Sequence, residues 1–437
     1  MTDFTIILRS MTTRMFSTVT TIITVAVAVA LMLVLLSMKE SGRQAFERGA
    51  GNMHMLVSAE ASPLLAVLNS VFYSAPPRQA LTWEKYRSIA GSFPWEFAIP
   101  IQQGDSYRGF PVMATTRDFF TRFQPHEGTP WQVSQGRFFE DSFEVVVGAT
   151  AARVTGVTIG SELFLTHGME QSRQRSWLVG GPPDPNAPAP HVHYEYNYKV
   201  VGILEPTGSA HDRALFTDLT SSWIIHAHDR RREANPGVPL ATEADLIDAD
   251  RLITGIYLRV ATRPGRQLSA AQQQIYDTLR TDISITVADP HFEVGKLFNI
   301  VSNIDQVFIA IAGVVLVSSG IAIMLALYNS MEQRRRQIAV LRVLGASRMR
   351  VFGLVLTESA ILGLLGALAG VALCFIGVQI VAELMKQRLG VVVSPSLEPV
   401  WTFVLVMATI LLAALAGAAP AARAYQTAVI KHLKPLG

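Results

Sequence analysis

The chain has 437 residues, of which 50% are hydrophobic and 16% charged; average soluble domains carry about 25% charged residues. With a mean hydropathy of +0.31, this balance excludes a disordered chain and a purely soluble protein. The ordinarily polar middle of the sequence excludes a chain embedded in a bilayer throughout. A net charge of +3 is too mild to mark a nucleic-acid binder, and one cysteine, Cys374, excludes an intramolecular disulfide.

Four apolar runs are long enough to cross a bilayer, which takes about 20 helical residues. They are expected at 15–38, 305–330, 351–382 and 400–422. The first follows Arg9 and Arg14 like a secretion signal. It exceeds the about 7–15 apolar residues of a cleaved signal and lacks a clear A-x-A site, so it reads as a retained anchor. Between the second and third runs, 331–350 holds Arg334, Arg335, Arg336, Arg342, Arg348 and Arg350 against the single acid Glu332. Residues 423–437 hold Arg423, Lys431 and Lys434 and no acid. Short basic loops stay inside, so 1–14, 331–350 and 423–437 are expected in the cytoplasm. That leaves 39–304 and the mixed-charge loop 383–399 outside. The basic excess is a topological signature.

The outer segment reads as an α+β domain, with two subdomains expected. Its edges, 39–61 and 292–305, read as helices that continue the flanking spans as a stalk. Strands are expected at 143–147, 160–165, 194–204, 252–260 and 283–287, and a helix at 267–280. Tyr194, Tyr196, Tyr198 and Val200 alternate onto one face. The run GGPPDPNAPAP at 180–190 is a surface loop by composition. The fold class is therefore an α-helical membrane protein with four transmembrane helices and a large α+β extracytoplasmic domain between helices 1 and 2.

The chemistry-bearing motifs are few. The chain holds no G-x-x-x-x-G-K-[ST], H-E-x-x-H or G-x-S-x-G, so no enzymatic activity is expected of it and a membrane-bound hydrolase is disfavoured. His191, His193 and Glu195 alternate on one strand face, opposite the tyrosines; His167, His211, His226 and His228 belong to the same domain. Imidazole and carboxylate suit zinc or copper, which makes His191, His193 and Glu195 candidate zinc ligands; exposed histidines beside a loop are the alternative. Gly363, Gly366 and Gly370 line the third span, and the fourth runs through small residues from Ala413 to Ala419, including Gly417. Such residues let helices approach closely, either within one subunit or at a seam between copies. Glu358, near a membrane edge, is expected to cap or pair with an arginine and not to carry protons.

The stretch after the second span reads EQRRRQIAVLRVLGASRMR. Ile338, Leu341 and Leu344 share a helical face, and Gly345 ends the helix. Such a helix either docks on a partner or lies on lipid. Glu332 and Arg334, the run Gln337–Ala346, Glu358 and Ala360, and the ending Pro420–Ala424 together resemble the FtsX/MacB-type ABC permease pattern. Gln337 departs from it, since the family usually has an acid there. Gly202–Gly208 and Asp212–Phe216 are similar to the external core domain of the MacB-like branch.

The resemblance implies a non-catalytic permease of the bacterial inner membrane, with both termini cytoplasmic and the large domain periplasmic. It would bind no cofactor directly; ATP and Mg would act through a cytoplasmic ABC ATPase. Glu332, Arg334, Arg335, Arg336, Ile338, Leu341, Arg342, Leu344 and Gly345 would couple to that ATPase. Further expected partners are a second permease copy, as homodimer or paralogue, a periplasmic adaptor or binding protein, and the lipid bilayer, with no nucleic acid. Export of a small molecule, peptide or lipid-linked cargo is the expected job. Lipoprotein extraction, regulation of cell-wall hydrolases, and a membrane-anchored metal-binding sensor or scaffold without transport are the alternatives.

Overall fold

The computed structural model describes residues 3–167, 192–235, 237–262, 271–343, 345–388 and 397–426. The chain forms two compact units: residues 1–42, 300–385 and 393–437 in one, 43–299 and 386–392 in the other.

The first unit holds four helices long and apolar enough to cross a membrane, with candidate spans Met15–Ser37, Ile309–Asn329, Arg348–Leu384 and Pro399–Ala422. The helices themselves are longer. The first runs Met15–Gly49 and the second Pro290–Val343 without a break. The others are Arg348–Arg388 and Pro399–Gln426. Large apolar side chains such as Phe16, Val314, Phe375 and Leu411 are exposed, as a lipid-facing surface requires. A core of Val25, Val29, Leu33, Ile323, Leu362, Cys374 and Leu405 joins the four helices.

The amino-terminal residues also form a helix, Asp3–Thr12, which buries Ile7 and Met11 in that core. Its polar side is tied to the start of the third span. Arg350 donates to Asp3 at 2.6 Å, and the Ser10 hydroxyl donates to Glu358 at 2.9 Å. Glu358 is buried at 5% exposure, so the acid has a structural partner inside its own chain.

The second unit is built on strands β1 (Met55–Ser58), β2 (Leu81–Thr82), β3 (Trp95–Tyr107), β4 (Phe110–Thr115), β5 (Val133–Gly136), β6 (Glu144–Val147), β7 (Glu162–Leu163), β8 (Thr166–His167), β9 (Tyr198–Leu204), β10 (Leu215–Asp218), β11 (Leu252–Ile253), β12 (Gly255–Val260) and β13 (Thr286–Ala288). Among the described residues one sheet runs β13-β1-β12-β3-β4-β10-β6-β9-β5, with β7 added on β9 and β8 on β3; β11 and β2 pair separately. The sheet packs hydrophobic cores around Phe119 and Phe216, around Val145 and Tyr198, and around Ile256 and Val287. The β10–β4 and β6–β9 pairs are parallel; the other pairs are antiparallel. Parallel neighbours need crossovers, and each of these pairs joins strands separated by other elements of the chain. Helix Leu219–Ala234, which follows β10, is capped by Asp218, whose carboxylate accepts from Thr220 N–H at 2.8 Å.

Several expected elements are shorter than the patterns implied. The segment expected at 194–204 becomes β9 from Tyr198; Tyr196, Tyr198 and Val200 are buried, while Tyr194 lies in a turn at 72% exposure. The strand expected at 160–165 is the two-residue β7. The described part of the expected 267–280 helix is Gln272–Leu279. The first helix stops at Gly49 and does not reach 61. The loop at 180–190 lies outside the described residues.

An aromatic cluster anchors one side of the sheet. The Phe119 ring lies 5.0–5.4 Å, centroid to centroid, from Phe123, Trp131, Phe216 and Phe120. His211 is enclosed by the same cluster; its Nδ1 lies 2.7 Å from the Tyr73 hydroxyl, and burial pushes its pKa down to about 4.

At the opening of β6, the Glu144 carboxylate accepts from the Arg137 guanidinium at 2.7 and 2.5 Å and from the backbone N–H groups of Glu140 and Asp141 at 2.9 and 3.2 Å. The Arg137 hydrogen bond, opposed by partial burial and aided by the two N–H groups, holds its pKa at about 2, against 4.5 for a free carboxyl. A folded value below the unfolded one stabilises fully above the unfolded pKa, and the effect is lost as pH falls through about 2. Glu144→Gln should therefore cost about 1–3 kcal/mol at neutral pH. The gap in melting temperature between wild type and variant should narrow steadily below about pH 4.5. A pH-independent gap would assign the effect to shape, not charge.

Candidate functional site

The arginine-rich stretch continues helix Pro290–Val343. Glu332, Arg334, Arg335, Arg336, Ile338, Leu341 and Arg342 all lie on it, so the span and the basic segment form one rod with no loop between them. Val343 is exposed and Arg342 half-buried. Leu344 lies outside the described residues. Gly345 has φ +96° with open space around its α-carbon, and its N–H donates to Arg342 O at 3.1 Å. Only glycine adopts that backbone cheaply. The next helix follows at Arg348, with the Ser347 hydroxyl accepting from Arg350 N–H at 3.2 Å.

Gly363, Gly366, Gly370 and Gly417 of the third and fourth spans are filled from within the chain. A Cβ at Gly366 would stand 2.6 Å from Val25 Cβ, and one at Gly370 2.7 Å from Val29 Cβ and 2.8 Å from Ala26 O. One at Gly363 would stand 2.5 Å from Ala413 Cβ, and one at Gly417 2.1 Å from Ser359 Oγ. The third span is therefore pressed against the first by Gly366 and Gly370, and against the fourth by Gly363.

Of the candidate zinc ligands, His191 lies outside the described residues. His193 is buried at 1% exposure, with Nδ1 3.9 Å from Asp229 Oδ1. Glu195 is engaged by Arg232 at 2.6 Å. Among the described residues His193 and Glu195 are not in the group whose ligand atoms converge. The structure instead brings together Asp105, His167 and His226, whose ligand atoms lie within 4.8 Å of one another.

Three separate elements supply these residues. Asp105 sits in β3 where the β3–β4 register shifts between Gln103 and Ser106. The short β8 pairs there, placing His167 opposite Asp105, and His167 Nδ1 lies 3.2 Å from Asp105 Oδ1. His226 comes from helix Leu219–Ala234, with its ring centroid 5.9 Å from that of His167. Burial opposes ionisation of Asp105, but the His167 hydrogen bond and the fields of His226, His167 and His193 outweigh it and hold the carboxyl below its usual range. In turn the Asp105 hydrogen bond raises the His167 pKa against partial burial. His167 and His226 line a pocket of about 760 Å³, along with Asp229 and Glu233. Histidine content pointed toward this domain; Asp105 carried no sequence signal, because only the β3–β8 pairing puts it beside a histidine.

These features define a four-span membrane protein carrying an α+β domain between its first and second spans. Residues 18–278, more than half of the chain, match the MacB-like periplasmic core domain, and residues 309–429 match the FtsX-like permease C-terminal domain. The chain belongs to this FtsX/MacB-type permease family. It is similar to the macrolide export ATP-binding/permease protein MacB of Nitrobacter winogradskyi, with 24% identity over 305 residues, covering 68% of this chain and 40% of that protein. It thus spans less than half the length of that relative. The extracellular domain of the noncanonic ABC-type transporter YknZ from Gram-positive bacteria also aligns, with TM-score 0.26 and 9% identity, over 54% of this chain and 98% of that one.

Proposed function

We propose that this protein is the permease subunit of an ABC transporter of the bacterial inner membrane. In this reading a separate cytoplasmic ABC ATPase hydrolyses ATP, and residues 332–346 seat on it. The α+β domain faces the periplasm and handles an exported small molecule, peptide or lipid-linked cargo, delivered to or from an adaptor or binding protein. Two copies, or one copy and a paralogue, complete the transporter. Their mutual contact lies away from Gly363, Gly366, Gly370 and Gly417, whose close approaches are taken by partners in the same chain.

The observation that carries this reading is the single helix Pro290–Val343. Its 54 residues, at about 1.5 Å each, make a rod of about 80 Å. Within the membrane unit the second span and the basic stretch are one piece of helix, so no loop separates the segment read as the ATPase seat from the span above it. Lipoprotein extraction and control of cell-wall hydrolases use the same mechanics. The match to the MacB-like domain over 18–278 favours export.

Purification of the tagged chain from its native host in mild detergent should bring down an ABC ATPase in near-equal amount. Leu341→Asp combined with Leu344→Asp should abolish that association while leaving membrane insertion intact, since it places two charges on the apolar docking face. Association retained in the double variant would sink the docking assignment. Wild-type protein free of any ATPase across several detergents would favour a membrane-anchored sensor or scaffold.

A further inference from the structure

We propose that Asp105, His167 and His226 form a binding site for a divalent ion of the zinc class on the α+β domain. The site is independent of how, or whether, the chain couples to an ATPase.

The first argument is convergence. Ligand atoms of three residues from β3, β8 and helix Leu219–Ala234 meet within 4.8 Å. The pairing that aligns Asp105 with His167 uses a two-residue strand laid onto β3 beyond its register shift. The second argument is spacing. Two ligands bound at about 2.0–2.1 Å to a tetrahedral ion stand about 3.3 Å apart, and His167 Nδ1 lies 3.2 Å from Asp105 Oδ1. An ion can replace the shared proton with little movement of either group.

The third argument is an unmet polar requirement. His226 Nε2 is buried without a hydrogen-bond partner among the described residues, and so is the hydroxyl of fully buried Tyr198, which lies within electrostatic reach of Asp105. Buried polar atoms of this kind are costly and call for a water or an ion. The donor set then selects the ion. Two imidazoles and one carboxylate suit zinc and its borderline neighbours; the converging set holds a single carboxylate where a hard ion takes several oxygens, and the single cysteine, Cys374, belongs to the other unit. Three protein ligands leave a coordination position facing the pocket, open to water or to a ligand group from outside. His193 stands edge-on to His167, with ring centroids 6.1 Å apart.

The test uses the full chain purified in detergent and stripped with chelator, titrated with zinc chloride by calorimetry and metal analysis. Cobalt(II) absorption serves as the probe of geometry. Wild type should take up one zinc per chain and give the visible cobalt bands of a low-coordinate nitrogen–oxygen site. His167→Gln with His226→Gln should weaken zinc by at least about 10–100-fold, a loss already typical for groups that merely support a metal ligand, and should abolish the cobalt bands. His167→Gln alone, at a side chain 55% exposed, should leave the melting temperature unchanged and still weaken binding, which keeps the test valid if the double variant folds poorly. His126→Ala, remote from the cluster in sequence and pairing, should bind like wild type. Equal zinc uptake by wild type and the His167→Gln variant, or no uptake by wild type at micromolar zinc, overturns the proposal.

Discussion

Replacing Phe119 with alanine is expected to destabilise the α+β domain by about 3–5 kcal/mol, the range for removing a large aromatic from a packed core. Phe119 has no exposed surface, and its ring touches those of Phe120, Phe123, Trp131, Phe216, Tyr257 and His211. The cavity would be lined by aromatic rings held on β10, β12 and neighbouring loops, which cannot collapse inward together. At about 2–4 °C per kcal/mol for a domain of this size, the loss is on the order of 10 °C in melting temperature. Intrinsic fluorescence of the full chain in detergent reads it directly, because Trp131 sits in the same cluster. Phe119→Leu keeps most of the volume and should cost clearly less. Equal melting of the alanine variant and wild type would mean that the cluster contributes little to the domain.

Gly370→Leu should have the second large effect, on the membrane-spanning unit. The new side chain would begin 2.7 Å from Val29 Cβ and 2.8 Å from Ala26 O. A carbonyl bound into its own helix cannot yield, so the first and third spans must separate along their shared seam. Overpacking costs typically about 1–3 kcal/mol, and a whole leucine at a helix crossing belongs at or above the top of that range. Gly353→Leu lies on the same helix with open space at its α-carbon and is the control. Detergent-solubilised Gly370→Leu should lose its monodisperse elution peak at temperatures where wild type and Gly353→Leu keep theirs. Gly370→Ala should be milder, and Val29→Gly, which removes the nearest Cβ, should partly rescue it. Rescue by a residue of the same chain separates packing within a subunit from packing between copies.

What could be read from the sequence, and what could not, follows from the range of the interactions involved. The four spans announce themselves because a bilayer demands long uninterrupted apolar runs. The helix end before Gly345 is visible because a single residue type satisfies its backbone. Tyr196, Tyr198 and Val200 are buried as simple alternation suggests, and Tyr194 is exposed in the turn ahead of the strand. Strand pairing is another matter. The parallel joins of β10 to β4 and of β6 to β9 link segments far apart in the chain, and no local pattern encodes them. The same limit hid the Asp105 cluster. Its histidines drew notice by their chemistry, but the alternation at 191–195 pointed to Glu195, whose carboxylate Arg232 holds. Helix Asp3–Thr12 escaped because its buried face is only Ile7 and Met11, too little for a periodicity argument.

That short helix has a consequence for the order in which the protein can be made. Its partners Arg350 and Glu358 lie 347 and 348 positions downstream, and the valines of the first span await Gly366 and Gly370. At about 5–20 residues per second, the ribosome takes tens of seconds to deliver them. Through that interval the first span stands in the membrane without its protein neighbours, and Ile7 and Met11 rest on lipid or on the insertion machinery. Helix Asp3–Thr12 is translated long before the residues it packs against, so lesions in it should surface as failures of late assembly, with the first span inserted normally.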